Sequence, residues 1–219
     1  MRKSAQGLYA FLTHLFYANY PLRRQFDPDA FLRQFLDDPR NSPNDPWGPL
    51  PGIHPAHIVS YFEAWIRTHD IDGSTTAQFL ARGADPLTGG LNSVAFYIIR
   101  GSDDPAPITQ LLDAGLPLDA QWGIDGWNLF HAAAVFNSQE RKSRLVPVLI
   151  DRAIQAGRID LLEAPSTRND QVPPVTPMDV ALQVGNWDTV RQFCAHVTPS
   201  ERVRESGNFR AYCRDPIAA

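Results

Sequence analysis

Apolar residues along this chain recur at the three- and four-residue steps that place them on one face of a helix. Leu8, Phe11, Leu12, Leu15 and Phe16 keep this step and predict a helix over residues 4–19. A second helix is predicted from Asp27, a suitable N-cap, through Pro28 as first helical residue to Leu36. Ile58, Tyr61, Phe62, Trp65 and Ile66 mark a third over 57–69, and further helical patterns fall at 74–81, 92–99, 107–114, 128–136, 145–156, 177–184 and 188–196. Pro39, Pro43, Pro46, Pro49, Pro51 and Pro55 interrupt the pattern between the second and third helices. Proline removes a backbone donor, so this stretch is expected as an extended surface connector, anchored by Trp47. Strand content is expected to be close to nil.

Within the second half the patterns themselves repeat. Gly126-Trp127-Asn128-Leu129-Phe130-His131-Ala132-Ala133-Ala134 closes at Asn137. The same frame fits from Gly90 to Gly101 and from Val175 to Gly185. A second helix follows each copy, two of them running into glycine turns at Gly115 and Gly157, and a half-copy, Ala77 to Pro86, precedes them. Repetition of a helix–turn–helix unit at roughly 33 residues indicates a stacked solenoid.

These residues resemble ankyrin repeats, over about residues 54–197. His131 takes the family's His position, Ala132, Ala133 and Ala134 its small-residue positions, and Thr176-Pro177 its helix start. Gly101, Asn137 and Gly185 fall where the first helix is expected to stop through a left-handed residue. Gly83-Ala84-Asp85, and more loosely Leu118-Asp119, fit the lead into the family's hairpin. Asn92-Ser93 and Asn128-Leu129 stand in place of Thr-Pro, so those helix starts are expected to be less sharply defined. Insertions at 138–144 and 164–175 lengthen the later units. The expected fold class is all-α: an ankyrin-like helix-turn-helix solenoid. Residues 1–53 would form a helical N-terminal cap with its connector, 54–197 the repeats, and 198–219 a C-terminal cap or tail.

Charge and composition narrow the function classes. A net charge of −4 gives no general reason to bind nucleic acid, and no apolar run approaches the length that crosses a bilayer. His14 and Asn19 interrupt the apolar part of residues 1–20, and Tyr20-Pro21 offers no small-residue cleavage site, which favours an amphipathic helix over a signal peptide. Two cysteines, Cys194 and Cys213, imply no disulfide framework, and a cytoplasmic location follows as the default. Asp103, Asp104, Asp113, Asp119 and Asp125 fall in a stretch free of Lys and Arg. They read either as a solvated face or as an acidic patch for a basic partner.

Candidate chemistry is sparse. His54 and His57 lie in the proline-rich stretch without a Cys or Glu cluster that would complete a zinc site. Cys194 and His196 are two apart on a helix and face different directions. No phosphate loop or nucleophile elbow is present, so no catalytic, cofactor or metal residue is assigned. The ankyrin resemblance instead implies a concave face of hairpin fingers and first helices. Its exposed positions would be Leu91, Ile99 and Arg100; then Trp122, Asp125, Trp127, Val135 and Phe136; then Gln183, Val184 and Trp187, with Asp119 and Asp188 beside them. Tryptophans exposed there would be binding hot spots; alternatively Trp122 or Trp127 folds back over the inserted loops. The expectation is a non-catalytic module, monomeric or in a heterodimer with one dedicated protein partner. An immunity-type inhibitor of a bacterial toxin is one concrete version. The alternatives are an effector that binds a host protein and a small enzyme using His54 and His57.

Overall fold

The computed structural model describes residues 35–47, 59–68, 72–88, 93–123, 125–136, 144–166, 174–197 and 201–205. Among them the regular structure is helical apart from one pair of two-residue strands and one single-residue bridge. The strands are β1 (Pro46–Trp47) and β2 (Val59–Ser60), and the helices α1 (Tyr61–Thr68), α2 (Gly73–Ala81), α3 (Val94–Gly101), α4 (Ala106–Asp113), α5 (Leu129–Phe136), α6 (Leu145–Gln155), α7 (Pro177–Gln183), α8 (Trp187–Cys194) and α9 (Glu201–Glu205). A 3-10 turn, Ile159–Leu162, follows α6. The helix expected over 4–19 and the start of the second lie outside the described residues, which take up that second helix at Phe35. None of the described helices is long and apolar enough to cross a membrane.

The helix starts show why these residues fold here. The helix expected from residue 57 begins at Tyr61, because β2 pairs antiparallel with β1. Pro46 can sit in that ribbon because neither strand has a second neighbour among the described residues. The connector also caps α1: carbonyls of Asp45 and Pro43 accept the amides of Tyr61 and Phe62, which have no partner inside the helix. Further on, Asp72 Oδ1 accepts the Thr75 amide at 2.6 Å to start α2. Thr176 and Asp179 form a reciprocal capping box at α7.

Four helix ends share one closing pattern. Gly83, Gly115, Gly157 and Gly185 have φ of 81°, 102°, 65° and 70°. In each case the next amide reaches back across the last turn: Ala84 to Phe79, Leu116 to Leu111, Arg158 to Ala153, Asn186 to Ala181. This is the Schellman closure, which needs a left-handed residue. Gly101 corrects the expectation of a left-handed stop there. It is the last residue of α3, and the chain leaves through extended Ser102 (φ −120°, ψ 137°). The first copy is therefore shifted by one: Ser93, not Asn92, precedes its helix as Asn128 and Thr176 precede theirs. Asn137 lies outside the described residues.

Packing follows chain order. The first helices touch in the sequence α1, α3, α5, α7, the second helices as α2 with α4 and α6 with α8, and the pairs α3–α4, α5–α6 and α7–α8 close on themselves. One apolar core runs through them from Phe35 to Phe193. At one end Phe35 meets Tyr61 in a tilted pair with ring centres 4.8 Å apart, and at the other Phe130 meets Phe193 edge-on at 6.4 Å. α5 is apolar almost all round, and Ala132, Ala133 and Ala134 are buried, so small side chains let α3, α6 and α7 approach it together. Gly73 does the same for α2 and α4, since a methyl group added there would meet Ala106 Cβ at 2.7 Å.

Leu111 and Leu149 are fully buried, while Leu112 only packs against the core's edge. Leu111→Ala and Leu149→Ala should each lower unfolding free energy by about 2–5 kcal/mol, and Leu112→Ala by clearly less. Chemical denaturation of the three variants checks the order, and equal losses at 111 and 112 would contradict this placement of the core.

Candidate interaction surface

The surface is built on a buried joint between α5 and the chain that follows it. Asn128, 4% exposed, stands before α5, and its Oδ1 accepts the amides of Phe130 at 3.0 Å and His131 at 3.1 Å. Its Nδ2 donates to the Leu161 carbonyl at 3.0 Å, and its own amide lies 3.2 Å from His131 Nδ1. His131 Nε2 is 2.9 Å from the Val175 carbonyl. A carbonyl only accepts, so Nε2 carries a proton, while Nδ1 lies against both the Asn128 amide and, at 2.7 Å, Asn128 Oδ1. Burial holds the His131 pKa below the usual 6.5, while the Val175 carbonyl and the Asp179 charge push weakly the other way. Both ring nitrogens are thus committed, on a side chain only 1% exposed.

The start of α5 is therefore well defined, contrary to the expectation for Asn128-Leu129. At Ser93 that expectation agrees with the structure: the side chain makes no cap, and its buried hydroxyl has no hydrogen-bond partner. A second buried asparagine, Asn186, repeats the joint, with Nδ2 donating to the Ala134 carbonyl at 2.9 Å and Oδ1 capping α8 at Thr189.

Ahead of α5 the chain makes a tight hairpin. Trp122 and Trp127 exchange backbone hydrogen bonds of 2.8 and 2.9 Å, and Gly123 and Gly126 turn the chain between them. Trp122 is buried, only 4% exposed. Its expected place on the exposed face is corrected: a ring drawn into the core cannot meet a partner. Trp127 remains half-buried, lying nearly parallel to His131 with ring centres 6.0 Å apart.

The remaining candidates divide. Arg100, Val135 and Gln183 occupy equivalent positions on α3, α5 and α7, counted from Ser93, Asn128 and Thr176, and form a row across helices that touch in that order. Arg100 and Gln183 are exposed, Val135 and Asp125 half-buried, and Val184 beyond Gln183 is 51% exposed. Ile99, expected at the surface, is buried. Trp187 is half-buried at the start of α8, and Asp188 pairs with Arg191. Leu91, the Phe136 side chain, His54 and His57 lie outside the described residues. The acidic run is not one open patch: Asp119 pairs with Arg158 at 3.0 Å and Asp113 with Arg152 at 2.6 Å. Sequence reasoning also missed Phe96 and Tyr97, half-buried on α3 with ring centres 6.3 Å apart. Counting from Ser93 would have found them, because Phe96 then falls in the place of His131.

No group of three or more potential metal ligands occurs among the described residues. Cys194 is disulfide-bonded, which the cysteine count did not anticipate; the other cysteine in the sequence, Cys213, lies outside the described residues. Comparison with protein-family models, with curated proteins and with solved structures returns no match.

The joint sets a sign for pH dependence. A histidine whose folded pKa is depressed stabilises the fold fully above its unfolded value, near 6.5, and less as pH falls below it. Between pH 7.5 and 5.5 the wild type should therefore lose more unfolding free energy than His131→Gln, as read by denaturant titration at both values. Equal losses would show that His131 is not held neutral by burial.

Proposed function

We propose that the chain is an ankyrin-like stack of about four degenerate helix pairs, with the N-terminal residues as a helical cap, that binds one dedicated protein partner without catalysing a reaction. The observation that carries this reading is the row Arg100, Val135 and Gln183, presented at equivalent positions by successive first helices. A row repeated across neighbouring units makes an extended contact surface, as solenoids use for recognition. The shared glycine closures and the chain-order packing support the repeat reading. Trp127, half-buried ahead of the same helix α5 with its ring parallel to His131, supplies the aromatic anchor that binding hot spots favour. In its most concrete form the partner is a toxin or effector whose active cleft the row covers. The disulfide on Cys194 favours an oxidising compartment over the cytoplasmic default.

The test pairs affinity with stability. Full-length chain is used to capture its partner, and Arg100→Ala, Trp127→Ala and Gln183→Ala are compared with Gln155→Ala on the exposed side of α6. Trp127→Ala should weaken binding by about 2 kcal/mol, and the other two row variants measurably, with melting temperatures near wild type for Arg100→Ala and Gln183→Ala. Gln155→Ala should leave affinity unchanged. Full affinity in all three row variants would overturn the proposed face.

A further inference from the structure

Among the described helices, none packs closely on the flank of α8 that faces away from α6. Asp188, Gln192 and His196 border α6 across an open groove, and α7 packs on α8 from within its own pair. At about 100° per residue, Cys194 stands nearly opposite Gln192, on the side away from α6. Trp187, seven residues earlier, shares that side. Trp187, Cys194 and Val197 are all half-buried and pack against the core. A stack leaves such a partly covered face where its last unit has no neighbour.

Cys194 is disulfide-bonded, and the sequence holds one other cysteine, Cys213. The chain after α8 turns back on the stack. Burial pushes the Glu163 carboxyl up and the Arg204 charge draws it partly down, so α9 runs near the 3-10 turn that follows α6. We propose that Cys194 pairs with Cys213, and that this bond holds residues 206–219 over the open flank of α8 as a redox-released cover. In sequence Phe209 and Tyr212 lead up to Cys213 and Ile217 follows it, apolar groups of the kind that Trp187 and Val197 leave half-covered. Closing a loop of about 20 residues removes much of the freedom of the open chain. The cover is therefore held firmly while the bond lasts, and by its apolar contacts alone once the bond is gone. Opening is a thiol–disulfide exchange with a dithiol reductant. The reductant's two sulfurs end joined as its own disulfide, and Cys194 and Cys213 take up the two electrons and two protons as thiols. An oxidising compartment keeps the flank covered, and a reducing one uncovers it.

The test uses the full chain. Purified without reductant and then unfolded, it should take up no thiol-alkylating label, and after treatment with a dithiol it should be labelled at both cysteines. Proteolysis without reduction should release one linked peptide pair that contains Cys194 and Cys213. Native-state hydrogen exchange then compares the oxidised and reduced chains. The amides of Arg191 to Cys194 should exchange about tenfold faster or more after reduction, the order set by opening a loop of this size, while those of α5 change little. Cys213→Ser should reproduce the reduced pattern without any reductant. Label entering the unreduced chain, a bond joining two chains, or exchange in α8 unchanged by reduction would each overturn the cover. These readouts are independent of whether Arg100, Trp127 and Gln183 bind a partner, so the two readings fail separately.

Discussion

The structure depends on how the start of α5 is satisfied. A helix leaves its first amides without internal partners, and at 4% exposure no solvent is at hand to meet them around Asn128. One asparagine resolves this in two directions: Oδ1 serves its own helix, and Nδ2 reaches the Leu161 carbonyl of the following unit. His131 extends the tie to Val175. Apolar contacts alone let neighbouring helix pairs slide, because burial is non-directional. Directional bonds between buried groups fix the register, since a slip would strand donors and acceptors inside the core. The alanines of α5 bring the helices close enough for those bonds to form.

That fixed register gives the outer surface its meaning. Arg100, Val135 and Gln183 align only because α3, α5 and α7 are locked in order. The same joint holds Trp127, whose ring rests on a histidine that cannot turn without losing two hydrogen bonds. The ion pairs Asp113–Arg152 and Asp119–Arg158 sit on exposed side chains and are worth little as stability. Their larger effect is to remove two carboxylates from what the sequence presents as an acidic patch.

Most of the helical plan was legible in the sequence, for reasons particular residues make plain. The second-helix patterns end on Gly115 and Gly157, whose left-handed backbone marks the stop, and α6 and α7 fall within a residue of their expected bounds. Where the punctuation was ambiguous the reading slipped. Gly101 has the right residue type but no left-handed backbone, so the copy before it was framed one residue early and Phe96 and Tyr97 were overlooked. Trp122 was placed outside because the ankyrin frame makes it a finger position, and the packing that buries its ring has no local signature. Contacts between distant segments, such as Pro46–Trp47 with Val59–Ser60 or Arg158 with Asp119, have no local signature and could not be read from periodicity.

If the register of the stack is set at Asn128 and His131, α5 is the best-protected helix, being covered by α3, α6 and α7 together. Native-state hydrogen exchange on the full chain measures this directly. The amides of Ala132 to Phe136 should exchange only through the largest openings, with protection falling off through α3 and α7 toward α1 and α8. Exchange in α5 as fast as in α8 would contradict the claim that the central joint holds the units in register.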